Sequence, residues 1–159
     1  MKNQIDVSTR VVSLIIALIL ICSNQVYGGA FKDDYAQTYD FYQAAIEKKD
    51  NNLIRQAAEK FHVLTLREDA GSLGSNAQYW ESQSWFAVKE YAKALQGFER
   101  VLLDKGSNKE EAARFKVVHC YIRLKWQKEA DWELKRFAKD YPQSKLLGTL
   151  RAEIKSLKP

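Results

Sequence analysis

The 159-residue chain has little of what punctuates or staples a fold: two prolines, seven glycines and two cysteines. So few Gly and Pro exclude a chain of many tight turns and favour helices joined by short connections. Of the cysteines, Cys22 lies in a segment read below as removable, which leaves Cys120 alone in the processed chain. That excludes an intramolecular disulfide, so stability rests on helix packing. A single thiol in oxidising surroundings is tolerated best when buried.

Histidine is equally scarce. His62 and His119 have no metal-ligand spacing to each other, to Cys or to a carboxylate pair. His119 adjoins Cys120, but neighbours on a helix point about 100° apart, which reads as a packed thiol beside a partly exposed imidazole. The carboxylate neighbours Glu68–Asp69 and Glu110–Glu111 lie near helix ends, where negative charge favours an N-terminus. Neither these nor Asp33–Asp34 show an apolar setting that would raise a pKa for acid catalysis. The Gly71–Gly74 loop lacks the following Lys-Ser or Lys-Thr and the preceding strand of a phosphate loop. With no catalytic constellation, the chain reads as a non-enzyme without metal, cofactor or small-molecule substrate.

No apolar run is long. Val11–Cys22 spans 12 residues broken only by Ser13, whereas a bilayer needs about 20. Lys2 and Arg10 precede it and small or polar residues follow, the order of a secretory signal peptide. Val26-Tyr27-Gly28 predicts cleavage after residue 28, with Gly28-Gly29-Ala30 a second candidate. Residues 1–28 are therefore read as a signal peptide and 32–157 as one helical domain. Retention as a membrane anchor is one alternative. Lipidation at Cys22 is another, against which bulky Ile21 stands where the motif wants a small residue. The net charge of +5 falls to +4 without residues 1–28, from 23 basic and 19 acidic residues. The signs interleave, as in Lys109-Glu110-Glu111, which suits solvated helix faces rather than a nucleic-acid surface.

What the chain does have is a repeat. Tyr79, Ser82, Trp85, Ala94, Phe98, Val101 and Gly106 are followed 36 residues later by Phe115, Val118, Tyr121, Ala130, Leu134, Phe137 and Pro142. Such a period with large-small-large apolar positions marks a helical repeat array. A polar turn, Val88-Lys89-Glu90 or Lys125-Trp126-Gln127, divides each unit into two helices. Ala57-x3-Phe61 echoes Ala94-x3-Phe98 at a spacing of 37 and suggests a weaker first copy, with Tyr42 level with Tyr79. Periodicity predicts helices over Lys32–Lys48, Leu53–Leu66, Asn76–Val88, Tyr91–Asp104, Lys109–Leu124, Gln127–Asp140 and Ser144–Leu157. Trp126 falls in a turn, and Trp132 falls off its helix's apolar stripe, either packed under the last helix or exposed.

These units resemble the tetratricopeptide repeat family, through Ser82-x2-Trp85, Ala94-x3-Phe98, Tyr121, Ala130-x3-Leu134 and Pro142. Val118 departs from the family's small residue, and Lys89 and Lys125 stand near its inter-helix glycine. The strings Ala77-Gln78-Tyr79-Trp80, Lys89-Glu90-Tyr91-x2-Ala94-Leu95 and Asp140-Tyr141-Pro142-Gln143-Ser144 are similar to the repeat region of periplasmic Tol-Pal-associated cell-division coordinator-like envelope proteins. The resemblance implies an all-α, tetratricopeptide-like right-handed superhelix of three helix pairs plus a C-terminal amphipathic helix. It implies a non-catalytic scaffold or adaptor of the bacterial cell envelope, periplasmic after export or membrane-anchored if the N-terminal segment is kept. Its partner would be a protein or peptide rather than nucleic acid, held in the concave groove. The alternative is a structural subunit docked permanently in an envelope or secretion complex. The groove set is Tyr42, Tyr79, Gln83, Phe86, Phe115, His119, Ile122 and Arg123, with Lys49 and Arg123 as a basic end for a carboxylate. Tyr79 and Phe115 serve equally well as core between neighbouring pairs.

Overall fold

In a computed structural model, residues 30–156 are described, and every regular element among them is a helix. Residues 1–28 with their cleavage site, Cys22, and the end of the last apolar stripe at Leu157 lie outside the described residues.

Helix α1 covers residues 30–47, where buried Phe31, Thr38, Tyr42 and Ala45 follow one another at seven, four and three positions, one face of a helix. Asp50 caps α2 (Asn51–Thr65), accepting from the Asn52 and Leu53 amides at 2.8 and 3.1 Å. A short 3₁₀ helix, Glu68–Leu73, links α2 to α3 (Gly74–Ala87) and bends at Gly71, whose φ of 51° suits glycine. Arg67 fastens this link to the start of the fold: it pairs with Asp34 of α1 and, at 2.6 Å, with Asp69. Then follow α4 (Tyr91–Val101), α5 (Glu110–Arg123), α6 (Gln127–Asp140) and α7 (Leu146–Ser156).

Three turns share one geometry. Lys49, Lys89 and Lys125 take φ of 52°, 65° and 61° just after α1, α3 and α5. Each lysine N–H bonds back three residues, to Ile46, Phe86 or Ile122 at 3.0, 3.0 and 3.1 Å. Each following N–H bonds back five, to Ala45, Trp85 or Tyr121 at 3.1, 2.9 and 2.9 Å. This is the Schellman helix end, normally built on glycine. A residue with a Cβ pays about 1–2 kcal/mol for the left-handed conformation. The last turn is therefore Leu124-Lys125-Trp126, one residue earlier than the sequence suggests.

These turns also set the register. Lys89 and Lys125 keep the 36-residue period, but Lys49 and Lys89 are 40 apart, so the first pair is offset by three residues from the expected 37. A three-residue slip is almost one helical turn, so the apolar stripe survives it while every level assignment changes.

The core runs in three clusters along the chain. The first joins α1 and α2 to Ala77 and Val88 of α3. The second joins Tyr79 of α3 and α4 to Ala113, Val117 and Cys120 of α5. The third joins Val118 and Ile122 of α5 and α6 to Leu147, Leu150 and Ile154 of α7. Helices α3 and α5 thus serve two clusters each and are buried on opposite sides, which explains why their apolar residues form no single stripe. Helices α2, α4 and α6 bury one face only. Trp126 and Trp132 lie on the exposed side, 48% and 57% accessible, with Trp126 stacked on Tyr121 at 6.1 Å and the Arg136 guanidinium 4.7 Å from the Trp132 ring.

Candidate binding face

The left-handed lysines align the first helices of the three pairs. Ten residues before each stand Tyr39, Tyr79 and Phe115; six before stand Gln43, Gln83 and His119; three before stand Ile46, Phe86 and Ile122. Tyr42 belongs to none of these rows. It is seven before Lys49, level with Ser82 and Val118, and is a core residue only 6% exposed. The place level with Tyr79 expected for Tyr42 belongs to Tyr39, whose hydroxyl accepts from Gln43 Nε2 at 2.7 Å.

Tyr79 is also core. It is 7% exposed, edge-on to Trp80 at 5.4 Å and 5.5 Å from Phe98, and burial pushes its hydroxyl up to about 12. Ile122 is buried in the third cluster. Phe86, Phe115 and His119 do come together: His119 lies 4.4 Å from Phe115 and 6.4 Å from Phe86 between ring centroids. Lys116, absent from the expected set, caps this group with Nζ 4.7 Å from the Phe86 ring. Arg123 is exposed at its end.

His119 is not open. Its side chain is 12% accessible, and Nε2 lies 3.5 Å from Glu153 Oε1 of α7. Burial drives its pKa below the ordinary value; Glu153 opposes this, while Lys116 and Arg123 add to it. Burial likewise lowers Lys116, against Cys120 and Glu153. The C-terminal helix therefore covers the last rung, and the accessible part of the face runs along α1 and α3. Gln83 Oε1 and His119 Nε2, equivalent positions in successive pairs, are both buried without a hydrogen bond among the described residues. An unsatisfied buried polar atom costs about 1–3 kcal/mol.

Glu153 and Lys116 were not identifiable as site residues from sequence, because both act across helix–helix packing. Gln43 and Tyr39 could have been found by aligning Lys49, Lys89 and Lys125 instead of the Ala-x3-Phe strings.

Elsewhere, Glu59, His62, Glu81, Trp85, Lys93 and Arg100 line a depression of about 420 Å³ between α2 and α4. Its buried carboxylate, Glu81, is already held by Gln78 Nε2 at 3.0 Å and lies 3.3 Å from His62 Nδ1. Cys120 is wholly buried, and burial pushes its thiol up to about 12, far from a reactive thiolate. Among the described residues no group of three His, Cys, Asp or Glu is placed to hold a metal ion, and no helix is long and apolar enough to cross a membrane.

No family model matches this chain, and no curated protein matches it significantly.

Proposed function

We propose that the chain is a tetratricopeptide-like superhelix that acts without catalysis as a scaffold or adaptor of the bacterial cell envelope, holding an extended protein segment along α1 and α3. The tetratricopeptide reading is supported by the three Schellman turns in equivalent places and by helix pairs whose cores pass from one pair to the next. Export follows from the Val11–Cys22 run and the residues after it.

The observation that carries the binding surface is the row Gln43, Gln83 and His119. Gln83 leaves its Oε1 without a hydrogen-bond partner beside Phe86, whereas His119 at the same level of the next pair is covered by α7 and faces Glu153 at 3.5 Å. A segment that draws the half-buried Gln83 amide outward and offers a backbone N–H to its Oε1 satisfies an acceptor that has no partner, instead of replacing a hydrogen bond. Tyr39, Phe86 and the Arg123 cation are the residue types that most often anchor such contacts.

The test is photo-crosslinking in cells that export the full chain, with a photoreactive residue at Gln43, Gln83 or, as control, Gln96 on the outer side of α4. The expected result is one common adduct from Gln43 and Gln83, weakened by Arg123→Glu and absent from Gln96. Adducts that are the same from all three positions, or none from Gln83, overturn the assignment.

A further inference from the structure

The charge of the molecule is unevenly placed. Residues 123–159 hold 10 basic and 5 acidic side chains, whereas residues 1–122 hold 15 of each, so the whole net charge of +5 belongs to the C-terminal part. Within it, α6 concentrates that charge on one side. At about 100° per residue, Lys128, Trp132, Lys135, Arg136 and Lys139 fall within one outward arc centred near Trp132. All five are exposed. The acidic residues of α6 lie off this arc: Glu129 and Asp140 at one border, Asp131 at the other, and Glu133 buried against Arg114 at 3.0 Å.

A large aromatic ring, 57% exposed on a helix face shared with four cations, of which Arg136 lies 4.7 Å from it, is an unusual surface to leave in water. We propose that the outer face of α6 docks on an anionic lipid surface. Trp132 sits at headgroup level, and Lys128, Lys135, Arg136 and Lys139 meet the lipid phosphates. A tryptophan with long-stemmed cations matches the apolar-to-wet gradient of a bilayer surface, where the ring is half buried and the charged tips stay solvated. Such a surface needs no pocket, and the face is a ridge on one helix. A protein partner of matching charge would meet only one apolar anchor here, too little for the desolvated centre of a stable interface. The Val11–Cys22 run, read as an export signal, takes the chain across a membrane and leaves the processed domain beside one. The proposal is independent of the face on α1 and α3, so either can fail alone.

Because the apolar Val11–Cys22 run is present in the unprocessed chain and can itself partition into lipid, the test reads Trp132 locally. The full chain is mixed with vesicles of bromine-labelled phosphatidylcholine, alone or with phosphatidylglycerol, and tryptophan quenching is followed. The expected result is quenching on the phosphatidylglycerol vesicles that is missing in Trp132→Phe and suppressed by salt. Each surface cation contributes about fivefold to such binding, so Lys128→Gln/Lys135→Gln/Lys139→Gln is expected to lower the docked fraction's ratio about a hundredfold. The same charge change at Lys60, Lys89 and Lys105 is expected to leave quenching unaltered. Equal quenching on pure phosphatidylcholine overturns the proposal, as does quenching that persists in Trp132→Phe or falls equally in the control variant. Selective binding of RNA or polyglutamate by this face, without quenching on phosphatidylglycerol, overturns it in favour of that partner.

Discussion

In the second helix pair, Gly97 of α4 lies so close to α3 that a Cβ there would stand 2.1 Å from Ser82 Oγ. In the third pair the position 36 residues on is Glu133, 3% exposed and bonded at 3.0 Å to Arg114, itself the counterpart of Gln78. Between them Ser82 becomes Val118. One pair closes with the Ser82 side chain set against the bare backbone of Gly97; the other holds a buried ion pair in the same place, with Glu110 and Asp140 at 3.7 and 3.8 Å from the same guanidinium. Burial works against the Arg114 charge, but Glu133, Tyr141 and Asp140 outweigh it and raise its pKa. The turns at Lys89 and Lys125 are nonetheless the same. The repeat therefore specifies the helix end and the level of each row, and leaves the filling between helices free to be a small residue or a charge pair.

The sharpest way to break this contrast is to remove one charge. Glu133→Ala is expected to cost up to about 3–5 kcal/mol in urea denaturation, because buried Arg114 loses its nearest charge and keeps only the longer contacts to Glu110 and Asp140. Replacing both partners, as in Arg114→Met with Glu133→Leu, is expected to be nearly neutral, since a buried pair contributes little over well-packed apolar groups. The matching change in the second pair, Gly97→Ala, is expected to cost about 1–3 kcal/mol through overpacking. Ser82→Ala in the same molecule is expected to return part of that loss, a coupling that a double-mutant cycle reads directly.

Smaller effects test what the pairs share. Lys89→Gly and Lys125→Gly relieve the left-handed strain, and against the greater freedom of an unfolded glycine each is expected to stabilise by about 0.5–1 kcal/mol. Equal gains would sharpen the claim of one common turn, and a loss at either position would break it. The smallest effect belongs to the third pair alone. The folded pKa of His119 lies below its unfolded value. Protons then favour the unfolded chain, and stability falls as pH drops through about 6.5, levelling once pH is below the folded value. Melting curves at pH about 7.5 and about 5.5 are expected to differ less in His119→Gln, which carries the residue of the second pair at Gln83.

Much of the helical order was legible because the second helices bury one face, so Ala94, Phe98, Ala130 and Phe137 repeat with a readable period. The starts of α4 and α6 at Tyr91 and Gln127 agree with that period. The first helices were harder. Tyr79 could not be placed by periodicity, because α3 faces a cluster on each side and both its flanks are buried. Gly97 carries no warning in sequence, since a glycine inside a helical stripe reads as a weak point rather than a contact. A lysine has no intrinsic tendency to positive φ, so the turns that align the pairs were hidden. The echo of Ala57 and Phe61 in Ala94 and Phe98 then fixed the first pair three residues out of level and made Tyr42 a groove residue.

Cys120 sits where the second cluster meets α5, fully shielded, with its thiol pushed up to about 12. While folded it is almost wholly protonated and out of reach of any reagent, so it reacts only when the second cluster opens. The residue thus keeps time for the molecule: its alkylation rate counts how often α4 and α5 separate. In a Cys22→Ser chain, slow labelling that quickens in Gly97→Ala in proportion to the lost stability would read those openings without any added probe.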